Sequence, residues 1–446
     1  MLRCAFGIVV GFSLFAFSAN AETKVYVVKD NPNAAEPYNT WETAAATVKT
    51  ATIFATNLVA TAALEGQDIT VEVSVGAERY IEHGIYVGKN VTLRGATGNR
   101  DDVVIGPNPK TSGTTNYRVI TASGNGAVIA DLTIINGYVY SDANNVMKVY
   151  GGGVLLSSYA TITNCHITSC IAFRSSTAAG ISVSNSYMYD TLVDNCKKTY
   201  SDLSTTYQNR GYAVLVSGAS IVDRCQIVDN IAQSVIAGGN HPFGGALAIQ
   251  NTSGSPSIVR NCLIARNVVA GKDSNTYSFA TGLSIKGGVC ENCTIVSNRS
   301  DVAGKFYGIV MENGESSESK ITEWVRNCHI TDNYVTGDAT SPAVKQYTGR
   351  SGGSKNLTKR IVYCCMSQKD EKVATSCVLD DKTKWTFDKR GRVKLLKGSP
   401  CIDAASQQSW MVGATDLYGR DRKLYGKADI GAVEYVKPMG FNVIVR

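Results

Sequence analysis

Apolar and polar positions along this chain alternate in short bursts, and the bursts return in one frame. "ITNCHITSC" at 162, "VDRCQIVDN" at 222, "VRNCLIARN" at 259, "CENCTIVSN" at 290 and "VRNCHITDN" at 325 all place a cysteine three residues after an apolar position or another cysteine. Side chains on a flat strand alternate with a period of two, so residues three apart face opposite sides of the sheet. Here both are apolar, so the chain must bend between them. The residue before the cysteine is Asn at 164, 195, 261, 292 and 327, and asparagine tolerates the left-handed backbone that such a corner needs. The frame predicts two short strands meeting at a one-residue bend, both turning apolar side chains inward.

Aligned on this frame, Cys165, Cys196, Cys225, Cys262, Cys293, Cys328 and Cys365 recur every 29 to 37 residues. The residues three before them are Ile162, Val193, Val222, Val259, Cys290, Val325 and Val362; those two after are Ile167, Ile227, Ile264, Ile295 and Ile330, interrupted by Lys198 and Ser367. A second phrase precedes each first one: "GGGVLL" at 151, "AGISV" at 179, "YAVLV" at 212, "GGALAI" at 244, "TGLSI" at 281, "YGIVM" at 307. Each unit then carries roughly three short strands, too few to bury a core, and constant strands joined by unequal loops are the mark of a stacked repeat. The expected fold is all-β: a single-stranded, right-handed parallel β-helix, since parallel crossovers within a sheet are overwhelmingly right-handed.

Leu132 stands in the cysteine position of an earlier unit, so the position calls for a compact apolar group, a role free cysteine fills. Disulfides are the rival in an exported chain, yet stacked in-register side chains run parallel, which suits bridge geometry poorly. Zinc on the Cys290-x-x-Cys293 pair fits less well still, because its other ligands would have to come from buried cysteines elsewhere.

"NTWETAAATVKTATIFATNLV" from Asn39 predicts a capped helix with an apolar face at Ala46, Ile53 and Phe54, laid over the open edge of the first coil. The expected organisation is a signal peptide at 1–21, an N-terminal cap with the helix and first strands at 22–95, β-helix repeats at 96–367 and a closing C-terminal region at 368–446. The leader reading rests on Arg3, the apolar run after it and Ala19-Asn20-Ala21, the layout of a secretory signal. No later run of eighteen apolar residues calls for a transmembrane segment, and release or retention at the cell surface is expected. Charged residues make up 18%, with 42 glycines against 9 prolines, which favours a turn-rich β body over a disordered chain. A net charge of +7 is compatible with acidic polysaccharide, and without a basic run it excludes the usual nucleic-acid readers.

Near the C-terminus, "SPCIDA" at 399–404, "DLYGR" at 416–420 and "DIGAVE" at 429–434, with "TLRGATG" at 92–98, resemble the choice-of-anchor Q group of secreted bacterial proteins, within the pectin-lyase-like β-helices. Members of that group often carry a sorting anchor; the ending "VKPMGFNVIVR" shows neither an apolar helix nor a basic tail. The resemblance implies either an extracellular carbohydrate-binding or adhesion protein or a polysaccharide lyase. A lyase needs a basic residue with carboxylates that hold Ca²⁺, and a hydrolase needs opposed carboxylates. No catalytic motif of either kind is legible, so no cofactor is expected, with Ca²⁺ entering only if the protein is a lyase, and no metal ligands are assigned.

His166 and His329, just after ladder cysteines, are expected to face outward, and Asp403, Asp416, Asp429 and Glu434 to hold turns rather than a cation. The loops between units mix cations and aromatics, and Lys197, Lys198, Tyr200, Arg210, Lys272, Tyr277, Lys305 and Tyr307 are the candidate substrate-binding residues. Rings stack on sugars and cations pair with carboxylate or sulfate. The expected partner is an extracellular polysaccharide or cell-surface glycan, bound by a monomer.

Overall fold

The computed structural model describes residues 22–61, 67–141, 150–174, 176–200, 212–234, 245–250, 255–271, 279–301, 306–311, 323–336, 343–344, 346–349, 360–367, 376–379 and 384–437. The expected leader, residues 1–21, lies outside them. The described chain is a parallel β-solenoid with four sheets, of nine, eleven, ten and eight strands, called I, II, III and IV below; the central coils visit them in that order, while the first strands belong to fewer sheets. One coil runs Val154–Ser157, Thr161–Thr163, His166–Thr168 and Ile171–Arg174; the next runs Ile181–Ser184, Tyr187–Tyr189, Leu192–Asp194 and Lys197–Tyr200. A unit thus holds four strands, not three, because the short turn after sheet III is itself a second one-residue corner.

Both corners are made the same way. The residue that turns the chain from sheet II to sheet III has a left-handed backbone at Asn164, Asn261, Asn292 and Asn327 (φ 45–52°), and Asp190, Arg224 and Tyr363 take the same conformation where asparagine is missing. From sheet III to sheet IV the left-handed residues are Ser169, Asn195, Asp229, Arg266, Ser297 and Asp332. Asn195 and Cys196 therefore belong to the second corner, and the cysteine alignment slips there. The backbone amide ladder gives the true first column as Leu132, Cys165, Thr191, Cys225, Cys262, Cys293, Cys328 and Cys364. Cys365 lies one residue past it, paired with His329. With the register corrected, Val193 and Met366 replace Lys198 and Ser367 behind Ile167 and Ile330, and the interruptions in the isoleucine column vanish.

The corner cysteines do more than fill space. The thiols of Cys165, Cys225, Cys262, Cys293, Cys328 and Cys364 donate to the carbonyl two residues earlier at 3.0–3.3 Å, and the Thr191 hydroxyl does the same at 2.7 Å. From Cys165 onward the position carries a small side chain with a donor that ends the sheet II strand internally; Leu132, one coil earlier, fills the space without one. All six of these cysteines are buried and free; burial pushes the Cys165 thiol up to about 12 and raises those of Cys225, Cys262, Cys293 and Cys364 as well, which keeps these five protonated and unreactive.

The second corner carries a feature unread in the sequence. Asn230, Asn267, Asn298 and Asn333, each five residues after a column cysteine, stack in the interior. The Oδ1 of Asn267, Asn298 and Asn333 accepts from both the backbone N–H and the Nδ2 of the asparagine one coil before, at 2.8–3.2 Å. Each Nδ2 also donates to a sheet III carbonyl, as Asn267 does to Ile227 O at 2.9 Å. Asn333 hands the line on to Gln346 Oε1 at 2.8 Å. Every polar atom gained by burial is thereby matched, which is the condition for keeping amides in a core.

The ends differ from expectation. The helix is Val48–Val59, capped by Thr47 Oγ1 accepting from Thr50 N, and it buries Val48, Ala51, Thr52, Ala55 and Val59; Ile53 is exposed. It starts later than read because residues 38–46 run through bends and are tied to the outer edge of Thr23–Val27 instead, through Tyr26 N to Tyr38 O and Ala45 N to Tyr26 O, both 2.8 Å. That segment covers the sheet edge, and the helix joins the interior core of the first coils. At the other end, residues from Trp385 to Tyr435 do not cross the last coil. They lie along the outer face of sheet III, covering Val228, Leu263, Ala265 and Val296. The apolar outward residues of those strands explain the choice, since an uncovered face of this kind would be exposed to water.

Asn298→Leu leaves the Asn267 amide and the Ile264 carbonyl unmatched and should cost about 3 kcal/mol. Cys262→Thr, which copies Thr191, should cost about 1 kcal/mol or less. Thermal denaturation of both variants beside the parent checks the order.

Candidate ligand-binding flank

Successive coils leave sheet IV at Ser141, Arg174, Tyr200, Ser234, Gly271 and Ser300 and resume sheet I at Val154, Ile181, Val214, Leu247, Phe279 and Phe306. Chain of unequal length thus departs from one corner of the solenoid, coil after coil. Arg210, Lys272, Tyr277 and Lys305 belong to these connections and lie outside the described residues. Tyr307 is the second residue of the sheet I strand Phe306–Met311 at that corner, half-buried, its carbonyl accepting from Thr281 Oγ1 at 3.1 Å. Tyr200 ends its sheet IV strand opposite Ser234.

Lys197 and Lys198 are adjacent in a strand and so face opposite ways. Lys197 is on the outer face of sheet IV, in register with Ile171 and Ile231. Lys198 is 1% exposed and sits in the interior column between Ala172 and Ala232, so it does not face a ligand on this flank. Small neighbours give its aliphatic stem room there. The structure places Lys197 on the same outer face as a pair the sequence reading missed: Tyr140 and Phe173, register partners, stacked with centroids 6.1 Å apart and planes 16° apart; Thr199, two residues after Lys197, is the register partner of Phe173 on the next coil. Their recurrence two residues into successive sheet IV strands, "YVYS" and "IAFR", was the available signal.

Carboxylates on the neighbouring faces are committed to the fold. Asp190 is bidentate to Arg224 at 2.8 and 2.9 Å, Asp229 to Arg266 at 2.9 and 2.7 Å, Asp223 meets Arg260 at 2.9 Å and Glu291 meets Arg326 at 2.6 Å, each pair tying adjacent coils. His166 Nε2 lies 3.0 Å from Asp194 Oδ1. Burial works to raise the Asp194 carboxyl, yet the hydrogen bonds from His166 and Thr168 outweigh it and hold it below its usual range. His329 does not face solvent as expected: it is fully buried beneath the C-terminal segment, edge-on to Trp385.

The C-terminal acids are consumed by backbone. Asp416 accepts from Tyr418 N, Arg420 N and Glu434 N at 2.8–2.9 Å, Asp429 accepts from Asp403 N and Tyr435 N, and Glu434 accepts from Asp429 N. Arg422, buried, donates to the carbonyls of Asp429 and Gly431 at 3.0 Å and lies 3.0 Å from Glu434. These bonds join the "DLYGR" and "DIGAVE" phrases into one hydrogen-bonded knot.

Residues 142–352 match a family model described as right handed beta helix region. Together with the four-sheet parallel stacking, this defines the class: a right-handed parallel β-helix. Among solved structures the chain is similar to the crystal structure of pectate lyase Pel9A, at 12% identity and a TM-score of 0.44, over 94% of this chain and 98% of that one. No curated protein matches it. No described helix is long and apolar enough to cross a membrane.

Burial pushes the Glu434 carboxyl up to about 8, above its unfolded value. Its contribution to stability is then complete below about pH 4.5 and is lost as pH rises through about 8. The midpoint of thermal unfolding should fall over this range, and Glu434→Gln should make that slope shallower.

Proposed function

We propose that this protein is a secreted or surface-held β-helix that binds anionic extracellular carbohydrate without cleaving it. The observation that carries this reading is the common flank: cation- and aromatic-bearing connections leave one corner of successive coils beside an outer face that holds the Tyr140–Phe173 stack and, on the next coil two residues before the register partner of Phe173, Lys197. Stacked rings offer a face to pyranose C–H groups, and the ammonium offers a partner for carboxylate or sulfate. Repetition along the coil axis suits a polymer, whose successive residues meet successive coils.

A lyase acting on an acidic glycan is the second reading. It is supported by the resemblance of the C-terminal phrases to pectin-lyase-like secreted proteins and by the same basic connections, with Ca²⁺ as its cofactor. Against it stands the pairing of Asp190, Asp223, Asp229 and Glu291 with arginines one coil away, which leaves those carboxylates engaged. The expected organisation into leader, cap, repeats and C-terminal region belongs to this proposal too, since export is what would bring the chain to such polymers.

Retention on immobilised uronate or sulfated polymers should weaken about fivefold in Phe173→Ala and in Lys197→Ala, a loss of about 1 kcal/mol each, without a change in unfolding temperature. Incubation with the same polymers should yield no ultraviolet-absorbing unsaturated product. Appearance of that product would replace the binder with the lyase; unchanged retention in both variants would remove the flank from either reading.

A further inference from the structure

Three side chains from distant parts of the chain converge where the C-terminal segment lies against the outer face of sheet III in the last coils. His329 and Cys365 are register partners on adjacent parallel strands of sheet III, so their side chains leave the same face. Cys401 comes down on them from the segment above, its carbonyl accepting from Ile430 N at 2.9 Å. A ring nitrogen of His329 and the sulfurs of Cys365 and Cys401 all lie within 4.8 Å of one another, and all three residues are completely buried. Approach this close is possible because Gly431, at φ +102°, lies directly over His329: a side-chain carbon there would stand 3.1 Å from His329 Cβ and 2.8 Å from Thr294 Oγ1. The Trp385 ring closes the side, 5.9 Å from the imidazole centroid.

We propose that His329, Cys365 and Cys401 form a site for one thiophilic metal ion of the Zn²⁺ class. An imidazole and two thiolates are soft donors, which select zinc over calcium or magnesium. Tetrahedral Zn–S bonds of about 2.3 Å hold two sulfurs about 3.8 Å apart, so the observed spacing needs a contraction of about 1 Å or less. Binding releases the two thiol protons to solvent, and Zn²⁺ with two thiolates and a neutral imidazole carries no net charge, the condition for a buried ionic cluster. The fourth position goes to water, as in other sites with three protein ligands. The ion would pin the C-terminal segment to the last coils. The corner cysteines are unsuited to compete, since their thiols point into the core and donate to strand carbonyls.

The test uses the full chain, reduced and stripped of metal, titrated with Zn²⁺ against a chromophoric chelator and with Co²⁺ as a spectroscopic probe. The expected result is about one equivalent bound, thiolate-to-cobalt charge-transfer absorption and a higher unfolding temperature. All three should be lost in Cys401→Ser and in His329→Gln and kept in Cys262→Thr. Circular dichroism confirms that the variants fold, and His329→Gln carries the comparison if Cys401→Ser does not. The site is overturned if no stoichiometric metal binds, if binding survives in folded Cys401→Ser or His329→Gln, or if peptide mapping without reductant finds Cys365 joined to Cys401 in a disulfide.

Discussion

No coil of this protein can satisfy its own backbone. At the corners from Cys165 onward the chain turns through a single left-handed residue and buries a cysteine, threonine or asparagine side chain just after it, and the strand amides that follow find their acceptors one coil away. The thiol column answers this need within a coil, by donating to the strand just ended. The asparagine column answers it between coils, by accepting a backbone amide and a side-chain amide at once. The rest follows from the requirement that the corners superimpose: flat parallel sheets, inward columns of isoleucine and valine, and loops expelled to positions where their length does not disturb the stack.

The same requirement explains what could be read in advance. Parallel stacking was legible because the inward columns must repeat chemically, as Ile167, Ile227, Ile264, Ile295 and Ile330 do. Exact register was not, because the chain uses one residue type in two geometrically similar corners. Cys196 sits where Cys170 does, while Thr191 keeps the true cysteine position. A hydroxyl and a thiol are interchangeable there, so matching cysteine to cysteine moved that unit by one corner. The asparagine column escaped notice for the opposite reason: in isolation an asparagine reads as a turn residue, and its burial depends on a partner more than thirty residues away.

The site was harder to foresee than the fold. Adjacent lysines look alike in a string, yet strand parity sends Lys197 to solvent and Lys198 into the interior. Tyr140 and Phe173 become neighbours only when coils stack. His166 and His329 occupy the same position of their repeats and differ because the C-terminal segment reaches one and not the other. In a solenoid the outer face is where such differences arise, since its inner columns are constrained by neighbours on both sides and its outer positions are not.

The C-terminal segment rests on outward residues from strands as early as Gln226–Val228. Those coils are synthesised long before the residues that shield them. A nascent or prematurely stopped chain would therefore carry a greasy stripe down one side of an otherwise finished rod, inviting capture by chaperones or proteases. The stripe is concealed only after the residues from Trp385 to Tyr435 have been made, so the last part of the fold to be synthesised protects some of the first.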